Sequence, residues 1–309
     1  MEQKKPFLAR PAVAILLASV CGILWGSAYP AIKQGYIFFS VGSDDTAAKM
    51  AFAGLRFLLS GLLVFLFRAF QPHEKQPLTS LSGGDWAKVG VLALLQTTIH
   101  YTFFYIGVSY TSGAKSSILN SSSVFFAALF AHFAYSDDKV TIKKAIGILL
   151  GFAAVILVNL DDTLGLSFTL TGEGFIVIAA FLHSFSALFS KRLSKRVDPV
   201  LMTALQLFIG GFILLLIGLF MGASFPKSSG GGYLLLLYLA ALSAVAFSLW
   251  TLLLKYNKVS SITIFNFLVP VSGTLLSALF LGESVLKPEY LISLPLVVAG
   301  IVLVTRSST

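Results

Sequence analysis

A repeat inside the chain constrains its fold more than any single motif does. Residues 110–159 align without a gap on residues 256–305, at a constant offset along the chain. The alignment places Tyr110 on Tyr256 and Asn120 on Asn266, and each copy holds two apolar stretches long enough to cross a membrane. The repeat therefore predicts two related halves built from membrane-crossing segments.

The composition excludes a soluble protein. Hydrophobic residues make up 57% of the 309 residues, charged residues make up 11%, and the mean hydropathy is +0.89. The net charge of +9 does not indicate nucleic-acid binding, because the basic residues flank apolar spans, as topology signals do. The one cysteine, Cys21, lies in an apolar run, so we expect no intramolecular disulfide.

Ten segments are long enough to cross the bilayer, which takes about 20 helical residues. Their predicted bounds are 12–38, 46–68, 86–109, 113–135, 141–160, 173–191, 199–221, 232–254, 260–281 and 288–305. The first span follows Lys4, Lys5 and Arg10, is too long for a signal-peptide core, and is not followed by a small-residue cleavage site. We therefore predict an all-α integral membrane protein with ten transmembrane helices and no soluble domain.

The distribution of Lys and Arg predicts the orientation. Sixteen of the 22 basic residues fall on the side that holds the N-terminus, four fall on the other side, and Lys33 and Arg56 lie within spans. Since basic residues collect in cytoplasmic loops, both termini are expected in the cytoplasm. Five spans per copy is an odd number, so the two copies cross the membrane in opposite directions. The predicted halves are residues 1–165 and 166–309, related as inverted repeats, an arrangement typical of secondary transporters.

Several short motifs carry a family resemblance. Leu24-Trp25-Gly26-Ser27 with Lys33, Leu55-Arg56-Phe57 with Gly61, Pro270 before Leu279-Phe280-Leu281-Gly282-Glu283, and Ala299-Gly300 occur in that order. In this the chain resembles the EamA type of the drug/metabolite transporter superfamily over nearly its whole length. The first copy departs from the pattern, with Val124 where the second has Pro270 and Ser136-Asp137 where it has Gly282-Glu283. The resemblance implies export of amino acids or other small metabolites through a central cavity.

Ionisable groups inside the spans are few. All thirteen acidic residues fall in termini, loops or span ends, which disfavours a proton-coupled exporter of cationic drugs, since such proteins use a buried carboxylate. Arg56 lies near the middle of the second span and is a candidate for binding a carboxylate, although it could instead bond to carbonyl groups as a structural residue. Lys33 either faces the cavity or reaches the outer interface.

The third span is polar near its middle, where Thr97, His100 and Tyr101 share a predicted face with Phe104. They either line a cavity or bond between helices. His183 lies at the middle of the sixth span, and the two mid-membrane histidines are the groups there that titrate near neutral pH.

Asn120 and Asn266 are matched polar residues of the two copies and are candidates for the same cavity or for a helix-packing bond. Five aromatic residues lie on spans that carry polar groups and suit a partly apolar solute: Trp25, Tyr29, Tyr101, Phe265 and Trp250. The predicted hinges are Pro30 and Pro270, because proline inside a span frees backbone groups. We expect the first, third, fourth, sixth, eighth and ninth spans to line the cavity, and the fifth and tenth to lie at the periphery and to be available for a homodimer.

The sequence holds no phosphate-binding glycine loop, metal-ligand spacing or nucleotide-binding domain. We expect no enzyme activity, no cofactor, no metal and no nucleic-acid partner; the partners are a small-molecule solute and the lipid bilayer. The prediction is a multi-pass exporter of amino acids or related metabolites in a bacterial inner membrane, working by alternating access. Import, exchange of another anion such as a sugar phosphate, and a non-transporting receptor or scaffold remain open alternatives.

Overall fold

The structure is a computed structural model of the 309-residue chain and describes residues 6–42, 44–70, 76–110, 113–158, 168–224, 227–228, 230–281 and 288–307. Within these ranges the regular secondary structure is helical, with no strand. Some predicted features lie outside the described residues: the boundary between residues 165 and 166, the chain ends at 1–5 and 308–309, and the Gly282-Glu283 pair.

The first half of the described chain is a series of helices. They are α1 Pro11–Phe38, α2 Thr46–Ala69, α3 Gly83–Ala93, α4 His100–Ser109, α5 Gly113–Asn120, α6 Ser123–Ala134 and α7 Ile142–Val158. A π-helical segment, Leu94–Ile99, joins α3 and α4 into one rod, and a turn at Ser121 and Ser122 separates α5 from α6.

The second half follows the same plan. Its helices are α8 Phe175–Leu193, α9 Pro199–Phe220, α10 Gly230–Tyr256, α11 Val259–Thr263, α12 Leu268–Leu281 and α13 Pro288–Arg306. A π-helical segment, Leu170–Gly174, precedes α8, and a 3-10 segment, Ile264–Phe267, joins α11 to α12.

Six helical rods in the described part are long and apolar enough to cross a membrane. They are Pro11–Phe38, Thr46–Ala69, Gly83–Ser109, Leu170–Leu193, Pro199–Phe220 and Gly230–Tyr256. Shorter apolar helices cover Ile118–Ala134, Val259–Gly273 and Ile292–Arg306. The predictions of an all-helical chain and of several membrane crossings are confirmed, while the count of ten and the side of each terminus stay predictions.

Acidic residues serve these helices as caps at their ends. Asp45 Oδ1 accepts from the Ala48 N–H at 2.8 Å at the start of α2, and Asp198 Oδ1 accepts from the Leu201 N–H at 2.8 Å at the start of α9. Ser82 and Asp85 form a capping box at the start of α3. A carboxylate at a helix N-terminus satisfies free N–H groups and the helix dipole, which accounts for acids at these span ends.

Glycine brings α2 and α9 into backbone contact in a reciprocal way. A Cβ on Gly61 would lie 2.5 Å from the Phe208 N atom, and a Cβ on Gly211 would lie 2.4 Å from the Leu58 N atom. Residues 58 and 61 of α2 correspond to residues 208 and 211 of α9 at one constant offset. Gly61 therefore contacts residue 208, and its counterpart Gly211 contacts residue 58, the counterpart of 208. Reciprocal contacts of this kind characterise two elements related by a two-fold axis.

Two other helix pairs approach closely. Gly26 of α1 lies against Ser272 and Gly273 of α12, where a Cβ would be 2.0 Å from the Ser272 Oγ atom. Gly147 of α7 packs on Gly300 of α13, whose carbonyl oxygen would lie 2.8 Å from an added Cβ. Small residues let membrane helices pack backbone to backbone, because lipid offers no hydrophobic gain for bulky contacts. Pairing of two copies through α7 and α13 stays a prediction.

Candidate functional site

A cavity of about 420 Å³ lies between helices of the two halves, within the range of about 300–1,000 Å³ usual for small-molecule sites. Its aromatic lining residues are Trp25, Tyr29, Tyr36, Tyr101, Phe104, Tyr105 and Phe247. Its polar lining residues are Lys33, Lys49, Arg56, His100, Ser116, Asn120, Ser121, Ser123, His183 and Asn266. Small and aliphatic residues, among them Ala28, Ile32, Val108 and Val269, complete the wall together with Pro270.

The structure brings together most of the residues that the sequence predicted. Around this one cavity lie Trp25, Tyr29, Arg56, His100, Tyr101, Asn120, His183 and Asn266. The second span also contributes to the wall, through Lys49 and Arg56, although it was not among the spans expected to line the cavity as a whole. Their part in solute binding stays a prediction.

Thr97 and Trp250 lie behind the cavity wall. Thr97 Oγ1 donates to Gln206 Oε1 of α9 at 3.3 Å, and Trp250 is 1% exposed, with its ring centroid 4.9 Å from that of Trp25. The predicted face of the third span assumed a continuous α-helix. Residues 94–99 are π-helical instead, and the wider turn moves Thr97 off the face that holds His100.

Arg56 is a buried cation held by a neutral partner. Its side chain is 4% exposed, and Nε and Nη2 both donate to Ser243 Oγ of α10, at 3.0 and 2.7 Å. The guanidinium carbon lies 5.0 Å from the Phe57 ring centroid, within range of a cation–π contact. The Nη1 atom makes no hydrogen bond to the described residues. A charged group in this setting has donors to offer to a bound anion.

Two histidines of the cavity wall lie next to each other. The ring centroids of His100 and His183 are 5.4 Å apart, and Tyr101 packs edge-on against His100 at 4.5 Å. The π-helical segment Leu94–Ile99 ends directly before His100, and such segments occur frequently at functional sites. Neutral imidazole offers one donor and one acceptor, so the pair can bind a polar group of either kind.

Three buried polar atoms of lining residues lack hydrogen-bond partners among the described residues: Trp25 Nε1, His100 Nδ1 and Ser116 Oγ. Buried polar groups are nearly always hydrogen-bonded, because an unmade bond costs about 1–3 kcal/mol. These three atoms are themselves buried, so a solute or water in the cavity reaches them only if neighbouring side chains move.

The matched asparagines lie where their helices lose regular α-helical geometry. Asn120 is the last residue of α5, before the turn at Ser121 and Ser122, and Asn266 lies in the 3-10 segment Ile264–Phe267. Interrupted helices expose backbone groups at the middle of a membrane only where they line a cavity or pack inside protein. Both interruptions therefore add polar character to the cavity wall at corresponding positions of the two copies.

The two predicted hinges differ in their position. Pro270 lines the cavity three residues after the 3-10 segment ends, whereas Pro30 is buried inside α1 and is not among the lining residues. Proline has no N–H to donate to the preceding turn, so each position weakens its helix locally. Bending at either position stays a prediction.

Sequence reasoning missed several wall residues. Tyr36 extends the stripe that Trp25, Tyr29 and Lys33 begin on α1, at spacings of four, four and three residues, and this helical periodicity was a usable signal. Tyr105 follows Tyr101 by four residues in the same way, next to Phe104, which the sequence had already placed on the predicted face. No pattern in the sequence pointed to Lys49 or Phe247, which reach the cavity only through tertiary packing.

The two ends of the cavity differ in exposure. Near one end, called the open end, lie Lys33, Tyr36, Lys49 and Val108, of which Lys33 is exposed and Lys49 is buried. The other end, called the closed end, is marked by a buried apolar cluster whose members include Ala127, Leu188, Leu254, Val259 and Phe265, from both halves of the chain. That the closed end faces the cytoplasm stays a prediction from the charge distribution of the sequence.

A buried ion pair of the first half lies at the closed end, and hydrogen bonds from Ser260 tie it to the second half. Lys144 Nζ of α7 donates to Asp138 Oδ1 at 2.7 Å, both side chains are 2% exposed, and the Ser260 N–H of α11 donates to Asp138 Oδ2 at 3.0 Å. Ser260 Oγ also donates to Asp138 Oδ1. Burial opposes ionisation of this carboxyl, but the hydrogen bonds from Lys144 and Ser260 outweigh burial and hold the pKa of Asp138 below its ordinary value.

The described residues contain no group of three His, Cys, Asp or Glu side chains that could hold a metal ion. The chemistry of the cavity wall is that of hydrogen bonding, positive charge and aromatic contact.

The comparisons with a family profile and with individual proteins agree, because both match transporters. The sequence profile of the EamA-like transporter family matches residues 12–160 and again residues 170–306. An uncharacterized transporter of Archaeoglobus fulgidus is 26% identical over 297 residues, which cover 94% of this chain and 96% of the relative. The uncharacterized transporter YvbV of Bacillus subtilis is 27% identical over 307 residues, covering 97% and 94%.

One further relative and one solved structure extend the comparison. The uncharacterized inner membrane transporter YedA of Escherichia coli is 25% identical over 290 residues, covering 92% of this chain and 87% of the relative. A protein of known crystal structure superposes with a TM-score of 0.79 at 16% identity, covering 96% of this chain and 98% of that one. The superposition shows a shared fold.

Proposed function

The chain belongs to the EamA-like transporter family, and we propose that it is a secondary transporter that exports small metabolites such as amino acids by alternating access. It is a multi-pass membrane protein, and its family consists of transporters rather than enzymes. We place it in a bacterial cytoplasmic membrane with both termini inside, in line with the inner-membrane relative and the charge distribution.

The observation that carries the proposal is the cavity between the halves, whose wall combines aromatic side chains with a buried positive charge. Seven aromatic side chains line it, and Arg56 lines it with a guanidinium that is held by the neutral Ser243 hydroxyl. A solute that carries a carboxylate and a partly apolar body would suit this wall.

Two inverted five-helix repeats explain the packing. The reciprocal glycine contacts of α2 with α9 support a two-fold relation, and so do the matched interruptions beside Asn120 and Asn266. The family profile also matches the chain in two successive stretches. We therefore propose ten membrane crossings, with one repeat in residues 1–165 and the other in residues 166–309.

Alternating access is supported by the difference between the two ends of the cavity. The open end reaches Lys33, and the closed end is sealed by an apolar cluster and by the Asp138–Lys144–Ser260 contacts. Inverted repeats allow the opposite arrangement at similar energy, because each half can adopt the conformation of the other. Opening the closed end would then require these contacts to separate, with Pro30 and Pro270 as the bending points.

Two alternatives concern direction and solute. The same cavity would serve an importer or an exchanger, since a binding site favours neither direction. Another organic anion, such as a sugar phosphate, would also pair with Arg56, although the seven aromatic side chains on the wall favour a less polar body.

Transport by purified protein in liposomes tests the proposal. Vesicles loaded with unlabelled amino acids are expected to accumulate the labelled amino acid from outside by exchange, and a sugar phosphate serves as the comparison solute. Repeating the assay with an imposed pH gradient separates facilitated transport from proton-coupled transport.

A matched pair of variants controls this assay. Ser116→Phe places a ring in the cavity and should stop exchange, whereas Ser80→Phe adds the same ring at an exposed position away from the cavity and should not. Exchange of no amino acid and no sugar phosphate by folded protein would contradict the proposed function.

A further inference from the structure

The charged residues among the described cavity-lining residues are all basic. Lys33 and Lys49 line the open end, Arg56 lies deeper, and the described lining residues include no Asp or Glu. Asp44 and Asp45, which are not lining residues, interact electrostatically with Lys49, so the positive charge at the open end is partly neutralised. Arg56 lies seven residues further along α2, or about 10 Å at the helical rise, and the ion pairs of the described residues do not include it.

Among the described residues, Arg56 therefore has no counter-ion, although its buried position gives water little access to its charge. Its fixed contacts are the Ser243 hydroxyl and the Phe57 ring, both neutral, and its side chain is 4% exposed. A buried charge is stable when it is paired, and an ion pair in a low-dielectric setting is far stronger than in water. The missing partner is best supplied by an anionic group of the solute.

The rest of the wall suits an apolar or aromatic body. Trp25 and Phe247 pack edge to face with centroids 5.4 Å apart, and Tyr101 packs on Phe57 at 4.5 Å, so the rings are already fixed in position. Fixed aromatic walls favour flat apolar groups, because little side-chain entropy is lost when they bind.

A cationic group on the solute would find poor compensation in this cavity. Trp25 Nε1 and the Arg56 nitrogens are donors only, and the side-chain acceptors of the described lining are all neutral, among them the amide oxygens of Asn120 and Asn266 and the tyrosine hydroxyls. Moving an ammonium group from water to a site without a carboxylate costs free energy, and repulsion from Arg56 adds to that cost.

From these observations we infer that the cavity selects its solute by net charge and binds organic monoanions with an aromatic or apolar body in preference to zwitterions of the same shape. This inference rests on the proposed function but departs from its amino-acid example, because an amino acid carries an ammonium group: the preferred metabolite carries a carboxylate or another single negative charge and no ammonium group. Cations of the same shape are the least favoured class.

Three ligands with one phenylethyl body test the inference: 3-phenylpropanoate as the anion, phenylalanine as the zwitterion and phenethylamine as the cation. Each is titrated into the purified full-length protein at neutral pH, and quenching of tryptophan fluorescence reports binding, since Trp25 lines the cavity. We expect the anion to bind at least about tenfold more tightly than the zwitterion, with the cation weakest.

Charge variants assign the selectivity to Arg56. Arg56→Gln should reduce the preference for the anion to within about threefold of the zwitterion, whereas Arg56→Lys should keep much of it, because the charge remains. Should Arg56→Gln not fold, Ser243→Ala offers a second test, because it frees the guanidinium and should raise the affinity for the anion.

The outcomes separate this inference from the proposed function. Phenylalanine binding as tightly as phenylpropanoate, or no binding of any ligand of this series, would overturn the charge selection, while exchange of other solutes in liposomes would leave the transporter assignment intact. Absence of any transport would contradict the proposed function itself.

Discussion

Arg56 illustrates how one residue can serve both folding and solute binding. Two of its nitrogens donate to Ser243 Oγ, which in turn donates to the Leu239 carbonyl oxygen at 2.9 Å, so α2 is tied to α10 through this side chain. The residue also lines the cavity. A structural role and a binding role therefore make different predictions for transport and for stability.

Replacing Arg56 with Gln separates the two roles. If the charge binds the solute, transport of carboxylates should fall steeply while the protein stays folded, because a hydrogen bond to a charged group contributes about 1.5–3 kcal/mol. Uptake in liposomes and melting temperature in detergent are measured together. Loss of the folded protein, with no effect on transport by the surviving fraction, would assign Arg56 to structure alone.

The histidine pair predicts where any proton dependence of transport arises. His100→Phe keeps an aromatic ring of similar position beside Tyr101 but removes the titrating group. We expect the variant to lose the response of transport to an imposed pH gradient. His132→Phe is the matched control, because His132 lies outside the cavity, where its Nδ1 atom accepts from the Val140 N–H at 3.0 Å. A response that persists in His100→Phe would move the proton site elsewhere.

The polarity of single residues within the spans predicts which of them belong to the site, but helix packing decides which of them reach the cavity. Arg56, His100, His183 and the two asparagines stand out because a polar group in an apolar span needs a reason to be there. Thr97 met the same criterion, yet the π-helical turn directs it to Gln206. A local change of helix type depends on tertiary contacts, and periodicity alone does not reveal it.

At the scale of elements, the contact of α2 with α9 depends on residues without side chains. Gly61→Ala and Gly211→Ala would each place a methyl group under 3 Å from backbone atoms of the facing helix. We expect each to destabilise the protein by about 1–3 kcal/mol, because two packed backbones must separate. Gly90→Ala is the control, since nothing lies within 4 Å of a Cβ there.

Thermal unfolding of the three variants in detergent measures this effect. Gly90→Ala should be neutral or stabilising by about 0.5–1 kcal/mol, as expected for alanine in place of glycine in a helix. Similar losses at Gly61 and Gly211 are expected from a reciprocal interface. A large loss at one glycine and none at the other would contradict the two-fold relation of these helices.

The buried pair at the closed end gives a stability prediction with a defined pH range. The pKa of Asp138 lies below its unfolded-state value of about 3.9, so its contribution is fully present above that value and is lost as the pH falls through the folded-state pKa. We therefore expect this contribution to be constant between pH ~5 and ~8 and to disappear in acid.

Lys144→Met tests the pair, because it leaves the buried carboxylate without its cation. We expect a loss of about 3–5 kcal/mol at neutral pH, much of which the double variant Asp138→Asn with Lys144→Met should recover. Melting temperatures across the pH range give the result. An unchanged melting temperature for Lys144→Met at neutral pH would show that the pair contributes little.

Helix positions follow closely from the sequence, but helix continuity does not. Apolar length predicted α1, α2, α9 and α10 to within a few residues, because the bilayer sets the length of a span. The interruptions beside Asn120 and Asn266 were not predicted, and only the proline at 270 marked one of them. A break in a helix becomes stable when a neighbouring helix or a cavity satisfies its backbone, which is a property of the assembled bundle.

The whole molecule has a cavity open at one end and a closed end held by apolar packing and a buried ion pair. Single-cysteine labelling follows both ends in one experiment. Cys21 is buried and is first replaced by Ala; then Val108→Cys reports the open end and Leu254→Cys reports the closed end, where Leu254 is 0% exposed.

The central claim is that this one cavity opens alternately to the two sides of the membrane. Labelling by a membrane-impermeant maleimide in right-side-out and inside-out vesicles, with and without a transported solute, tests it most directly. We expect solute to lower labelling of Val108→Cys from one side of the membrane and to raise labelling of Leu254→Cys from the other side. Labelling of Val108→Cys that never changes, with Leu254→Cys inaccessible throughout, would contradict it.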